Sequence, residues 1–172
     1  MRYLTIVRHA KAAAGEVGHS DFDRPLTPRG RAQCEMLRSW ANDPGALGAY
    51  GPVTALVSSS ARTRETYAVA FAGTTFVHAL ETSDLIYNGK RDVSAQDVLS
   101  ELAAIDPVTE SLLVVGHNPT VFELAVLLGG NEIPELHRDK YPTACAIVLA
   151  LPDGESVGLR RYEYVKGFIP EV

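Results

Sequence analysis

Four side chains carry the chemistry this sequence can be read to do. Arg8 and His9 stand side by side after the apolar run Leu4-Thr5-Ile6-Val7. His117 follows Leu112-Leu113-Val114-Val115-Gly116, and Arg62 follows Val53-Thr54-Ala55-Leu56-Val57 and three serines. Arginine is a permanent cation whose planar fork matches the oxygens of phosphate or carboxylate. A neutral imidazole can attack a phosphorus atom, or exchange a proton near neutral pH. Two arginines from separate segments can hold a dianion from two sides and stabilise charge while a phosphoryl group is transferred. The set predicts phosphoryl transfer in which His9 attacks, forming a covalent phosphohistidine, and His117 donates to a nonbridging oxygen. For that, one nitrogen of His9 must be unprotonated while the other donates to a fixed acceptor.

Taken singly, these residues are weak signals. Arg62 alone reads as a solvated first-turn residue, and His117 alone as a satisfied loop histidine. Their shared position joins them, because all follow apolar runs that read as buried strands, and ligands of α/β sheets bind at the carboxyl ends of the strands. His19, His78 and His137 lack such a context and are assigned to surface or core. No HxH or HExxH spacing occurs, and Cys34 and Cys145 form no CxxC pair, so neither a metal site nor a disulfide scaffold is expected.

The elements that must position these groups alternate. Tyr3–Val7 reads as a strand, and 11–22 as a loop. Thr27 then caps a helix with Pro28 at its first position; Ala32, Met36, Leu37 and Trp40 lie on one face, and it stops near 42–45. Val53–Val57 is a second strand, and the helix from Ala61 ends at 71 or 72. A short strand is expected over Thr75–Ala79, a loop over Glu81–Arg91, and a helix from the cap Ser94 to Ile105. Leu112–Val115 is a strand, Thr120–Leu128 a helix, and 131–142 irregular. A terminal hairpin pairs Ala144–Leu151 with Gly158–Val165 around 152–155. Strands alternating with helices predict an α/β fold, a mostly parallel sheet covered on both faces; the hairpin makes the sheet mixed.

With 172 residues, one domain over 1–172 is expected. A net charge of -5 argues against a nucleic-acid partner held by bulk basicity, while the clustered Arg24, Arg29, Arg31, Arg62 and Arg64 suit a local anionic ligand. No signal-like segment or membrane-length apolar run is present, so a cytoplasmic protein without a membrane partner is expected; a monomer is expected as well.

These segments resemble the histidine phosphatase superfamily, the phosphoglycerate mutase-like fold. Val7-Arg8-His9-Ala10 is similar to its Arg-His-Gly signature, and Asp23-Arg24-Pro25-Leu26-Thr27-Pro28-Arg29-Gly30 to its Pro-Leu-Thr-x-x-Gly helix start. Ser58-Ser59-Ser60-Ala61-Arg62-Thr63-Arg64-Glu65-Thr66 resembles the segment with its second arginine, and Val115-Gly116-His117-Asn118-Pro119 the one with its second histidine. Length and Arg8-His9-Ala10-Lys11-Ala12 are similar to the SixA-type phosphohistidine phosphatase branch. The resemblance implies a three-layer α/β/α sandwich and a cofactor-independent phosphatase working through a phosphohistidine intermediate. It matches His9 to the nucleophile, Arg8 and Arg62 to the phosphate-binding arginines, His117 to the second histidine, and Arg24 to a basic rim residue; Lys11 and Asn118 complete the expected substrate-binding set.

Two departures matter. Ala10 replaces the glycine after the nucleophile, which works only if that backbone does not need positive φ. The second is the acid: ester-cleaving relatives place a carboxyl group at the leaving oxygen, and here the matching loop offers Glu81 and Asp84 outside a clean copy of that pattern, with Asp21 and Asp23 as further candidates. An alkoxide needs a positioned acid to leave, whereas imidazole, with a pKa of about 6.5, leaves already protonated or nearly so. Between Thr63 and Gly116 no insertion is long enough to form a lid. Both features point to phosphohistidine on a protein as substrate. The alternatives are a small-molecule phosphomonoesterase for sugar phosphates or nucleotides, and an inactive phosphate-binding module. Cationic Arg8 and Arg62 should lower the pKa of His9.

Overall fold

The computed structural model describes residues 1–89, 91–136 and 141–171; His137 lies outside them. The apolar runs become the middle of a six-stranded sheet. In chain order the elements are β1 (Arg2–Arg8), α1 (Pro28–Ala41), β2 (Val53–Ser58), α2 (Ala61–Ala70), β3 (Val77–Ser83), α3 (Ala95–Ile105), β4 (Ser111–Gly116), α4 (Thr120–Gly129), β5 (Ala146–Leu151) and β6 (Tyr164–Phe168). The strand order is β3-β2-β4-β1-β5-β6. The first four run parallel; β5 pairs antiparallel with β1, and β6 antiparallel with β5.

Successive side chains of a strand point to opposite faces, and each central strand feeds two cores. Leu4, Ile6, Leu112 and Val114 pack with Leu102, Leu124 and Leu128 of α3 and α4. Val7, Val57, Leu113 and Val115 pack with Leu37, Ala41, Ala70 and Phe71 from or beside α1 and α2. The result is the expected three-layer α/β/α sandwich with a mixed sheet.

Local chemistry sets the helix starts. Thr27 Oγ1 accepts from Gly30 N at 3.0 Å with Pro28 opening α1, and Ser94 and Asp97 form a reciprocal capping box on α3. Gly30 is required for another reason. A Cβ there would lie 2.1 Å from the Lys11 carbonyl oxygen, so α1 rests directly on the backbone after His9.

Two strand boundaries differ from expectation. β3 starts later and extends to Ser83, through residues expected to be loop. Among the described residues it is an edge strand paired with β2 alone, with 78–82 exposed, and so it lacks the apolar alternation that marks a strand. β6 begins at Tyr164 rather than Gly158. The chain before it is tied down elsewhere: Val157 N donates to Asp106 Oδ2 at 2.7 Å, and Tyr162 N to Leu128 O at 2.7 Å. Asp106, its side chain fully buried, also receives both terminal nitrogens of Arg2, at 2.7 and 2.9 Å. Val157 and Tyr162 are thus core residues of a long loop, which the apolar pattern makes look like a strand. Among the described residues no helix is long and apolar enough to cross a membrane.

Candidate active site

Parallel pairing of β1 with β4 sets Arg8 opposite Gly116, and His9 N donates to Gly116 O at 3.0 Å. The residues that follow, His9 and His117, therefore meet, with ring centroids 5.3 Å apart. β2 ends alongside at Ser58, and α2 starts there with Arg62 in its first turn, 5% exposed. The three segments singled out by sequence thus open on one end of the sheet.

The turn after His9 is held at every residue. His9 Nδ1 lies 2.7 Å from Ala10 O. A carbonyl can only accept, so Nδ1 carries the proton and Nε2 keeps its lone pair. Ala10 N donates to Thr66 Oγ1 at 3.0 Å, and Lys11 N to Gln33 Oε1 at 2.9 Å. Ala10 is not among the residues with positive φ, so alanine fits where the family signature has glycine. Ala144 does adopt φ 58°, which costs about 1–2 kcal/mol for an L-residue. Its N–H is shared between Arg8 O and His9 O, at 3.1 and 3.2 Å.

Burial lowers the pKa of His9 most; the bond to Ala10 O opposes this, while Arg62, Arg8 and Arg24 add to it, and the value falls to about 3. Arg8 and Arg62 thus lower it as expected, though burial dominates. Burial, then His9 and Arg62, bring His117 down to about 2. Both rings are neutral at physiological pH. His117 Nε2 and Ser58 Oγ share a hydrogen bond of 2.7 Å, and Tyr87 packs edge-on against the His117 ring.

Arg8 Nη1 donates to Tyr141 O at 2.9 Å, and Asn118 Nδ2 donates to the same oxygen at 3.1 Å. Arg62 donates from Nη1 to Asp21 O at 2.9 Å and from Nη2 to Asp21 Oδ2 at 3.2 Å. Asp21 also accepts from Arg24 Nε at 2.9 Å and Tyr87 Oη at 2.6 Å. Burial acts to raise the Asp21 pKa, but Tyr87, Arg62 and Arg24 outweigh it and bring it down to about 2. Arg8 Nε, Arg62 Nε and His117 Nδ1 are buried with no hydrogen-bond partner among the described residues. These polar atoms belong to residues bordering one cavity of about 450 Å³.

Arg8, His9, Lys11, Arg24, Arg62, His117 and Asn118 all line this cavity. Glu81 and Asp84 do not: both are exposed, and Asp84 borders a neighbouring hollow with Phe22 and Tyr87. Among the described residues, the carboxylate lining the cavity is Asp21. Asn88 and Thr143 also line the cavity, and sequence reasoning missed them together with Ser58 and Tyr87. The Asn88-Gly89 turn signal was available; a Cβ at Gly89 would fall 2.1 Å from the end of the Tyr87 ring, which would have to move. Ser58 was hidden in a serine run that reads as helix caps. Among the described residues no group of three or more His, Cys, Asp or Glu is placed to hold a metal ion.

No protein-family model matches the chain. It is 30% identical over 148 residues to the uncharacterised protein Rv1276c of Mycobacterium tuberculosis, covering 83% of this chain and 85% of that one. Among solved structures it is similar to the provisionally named phosphohistidine phosphatase SixA of Agrobacterium tumefaciens, with 28% identity, TM-score 0.75, and 98% and 99% of the two chains covered. The corresponding SixA structure from Nakamurella multipartitia aligns at TM-score 0.78 over 99% and 97% of the chains; at 24% identity that likeness is one of fold.

Proposed function

Because the chain belongs to the histidine phosphatase superfamily, in its SixA branch, and is a phosphatase, we propose that it hydrolyses phosphohistidine on a protein through a covalent intermediate on His9. The observation that carries this reading is the His9 ring itself. Its Nδ1–H is spent on Ala10 O, which leaves the Nε2 lone pair on a ring that lines the cavity with Arg8 and Arg62, whose Nε–H groups have no partner among the described residues. The phosphoryl group lies among Arg8, Arg62 and His117, and His9 Nε2 attacks phosphorus. The bond to the substrate nitrogen breaks, and the leaving ring, already protonated on its other nitrogen, takes the electron pair and departs as neutral imidazole. Water then attacks phospho-His9, releasing inorganic phosphate and regenerating neutral His9. The guanidinium groups and His117 Nδ1 stabilise the equatorial oxygens in both steps. Lys11, Arg24 and Asn118 contact the substrate around the phosphoryl group. The scheme uses no cofactor.

The nature of the cavity carboxylate supports a P–N substrate. Asp21 stays ionised down to about pH 2, so it has no proton to give a leaving alkoxide at neutral pH. An imidazole leaving group does not need one. The test compares turnover of a phosphohistidine-bearing protein, sugar phosphates and nucleotides, with His9→Ala as control. The phosphohistidine protein should exceed the esters by orders of magnitude. Comparable rates would reject this substrate and favour a general phosphomonoesterase.

A further inference from the structure

The site as proposed requires His117 to present an N–H, not a lone pair, to the phosphoryl group. A neutral imidazole has one N–H and one lone pair, and His117 alone does not determine which nitrogen carries which. We propose that Ser58 decides it: the Ser58 hydroxyl donates to His117 Nε2, which forces the proton onto Nδ1 and makes His117 a neutral donor facing the cavity. Ser58 is a positioning residue, acting on the phosphoryl group only through His117.

Donor accounting supports this orientation. Ser58 is fully buried at the end of β2, and among the described residues its Oγ has one partner, His117 Nε2 at 2.7 Å. If Nε2–H donated to Ser58 Oγ, the hydroxyl proton would be a buried donor with no acceptor. Nδ1 would then hold a buried lone pair on a ring that lines the cavity of an anion. The reverse orientation satisfies Ser58 and Nε2 together and leaves Nδ1–H as the unpartnered atom, which suits an anionic phosphoryl oxygen. Ser58 is itself anchored, since its carbonyl accepts from Thr63 Oγ1 at 2.6 Å in the first turn of α2, the turn that carries Arg62. One short segment thus places an arginine and sets the proton of a histidine from another strand.

This inference rests on the phosphoryl-transfer reading of the site and is indifferent to the identity of the leaving group. Nitrogen NMR of histidine-labelled wild-type protein tests it directly. The expected spectrum has a protonated, pyrrole-type Nδ1 and an unprotonated, pyridine-type Nε2 at His117. In Ser58→Ala the Nε2–H form should gain population, and kcat/KM on an aryl phosphate should fall about tenfold or more. Ser58→Thr, which keeps the hydroxyl, should restore most of that loss, which a purely steric role for the small side chain would not. Inorganic vanadate should bind more weakly to Ser58→Ala than to wild type. A wild-type His117 protonated on Nε2 would overturn the proposal without any variant. So would a folded Ser58→Ala that keeps the Nδ1–H form and full activity. Failure of the phosphohistidine preference, with the tautomer as predicted, would reject the substrate and leave Ser58 in its role.

Discussion

Replacing Gly30 with alanine should damage the active site from the far side of a helix. The added Cβ would fall 2.1 Å from Lys11 O, 3.0 Å from its carbonyl carbon and 3.1 Å from its nitrogen. Lys11 cannot simply retreat. Its oxygen accepts from Thr27 N at 2.9 Å and Thr27 Oγ1 at 3.1 Å, while its nitrogen is bonded to the buried Gln33. Reaching even a 3.0 Å contact means opening the gap by about 0.9 Å. Two effects oppose each other. Glycine to alanine inside a helix gains up to about 1 kcal/mol of propensity. Overpacking costs about 1–3 kcal/mol, and each strained hydrogen bond adds about 1 kcal/mol. The steric term wins, and a net loss of about 1–3 kcal/mol in urea denaturation is expected. Lys11 is two residues from His9, and a displacement of about 1 Å in a catalytic array can cost about a hundredfold in rate. A kcat measurement on an aryl phosphate, taken where the variant is folded, should show a loss between tenfold and that limit. Gly158→Ala, with nothing within 4 Å of the new Cβ, serves as the neutral control. Wild-type stability and kcat in Gly30→Ala would refute the claim that α1 buttresses the turn after His9.

Acidification should destabilise the fold through the two site histidines. Their folded pKa values, about 3 and about 2, lie below an unfolded value near 6.5, so below that pH the unfolded chain binds protons the folded chain does not. Stability should be flat in this contribution above about pH 6.5 and fall as pH drops toward 3; His117→Gln should flatten the slope, and an unchanged slope would contradict the assignment. The same depressed pKa keeps His9 nucleophilic, so kcat should persist well below neutral pH, and a requirement for deprotonation above pH 7 would count against it. Asp106→Ala should cost about 3–5 kcal/mol by stranding the buried Arg2 guanidinium, read as a lowered denaturation midpoint; a loss under about 1 kcal/mol would show the pair is not needed.

The site was legible where chemistry and strand ends coincide. Arg8, His9, Arg62 and His117 follow apolar runs, and in a parallel sheet such ends converge without long-range information. Residues that reach the site from loops, lining the cavity or packing on its side chains, were harder to see. Asp21 sits in a three-residue 3-10 turn and meets Arg62 only after the chain folds back, and Tyr87, Asn88 and Thr143 come from connections with no periodicity to mark them. Glu81 was a candidate only because it falls in the loop matching the acid segment of ester-cleaving relatives, and β3 runs through it on an exposed edge, away from the cavity. The late start of β6 has the same kind of cause. Asp106 and Leu128, distant in sequence, hold the chain around Val157 and Tyr162, and no local pattern reports that.

The central claim is that a phosphoryl group passes through His9. Rapid mixing with a phosphorylated substrate, quenched in alkali within one turnover and read by mass spectrometry, tests it most directly. Wild-type protein should carry a base-stable, acid-labile phosphate on His9 that decays at the rate of phosphate release, and His9→Ala should carry none. Phosphate on any other residue, or rapid turnover with no phosphoenzyme at any time point, would contradict the account.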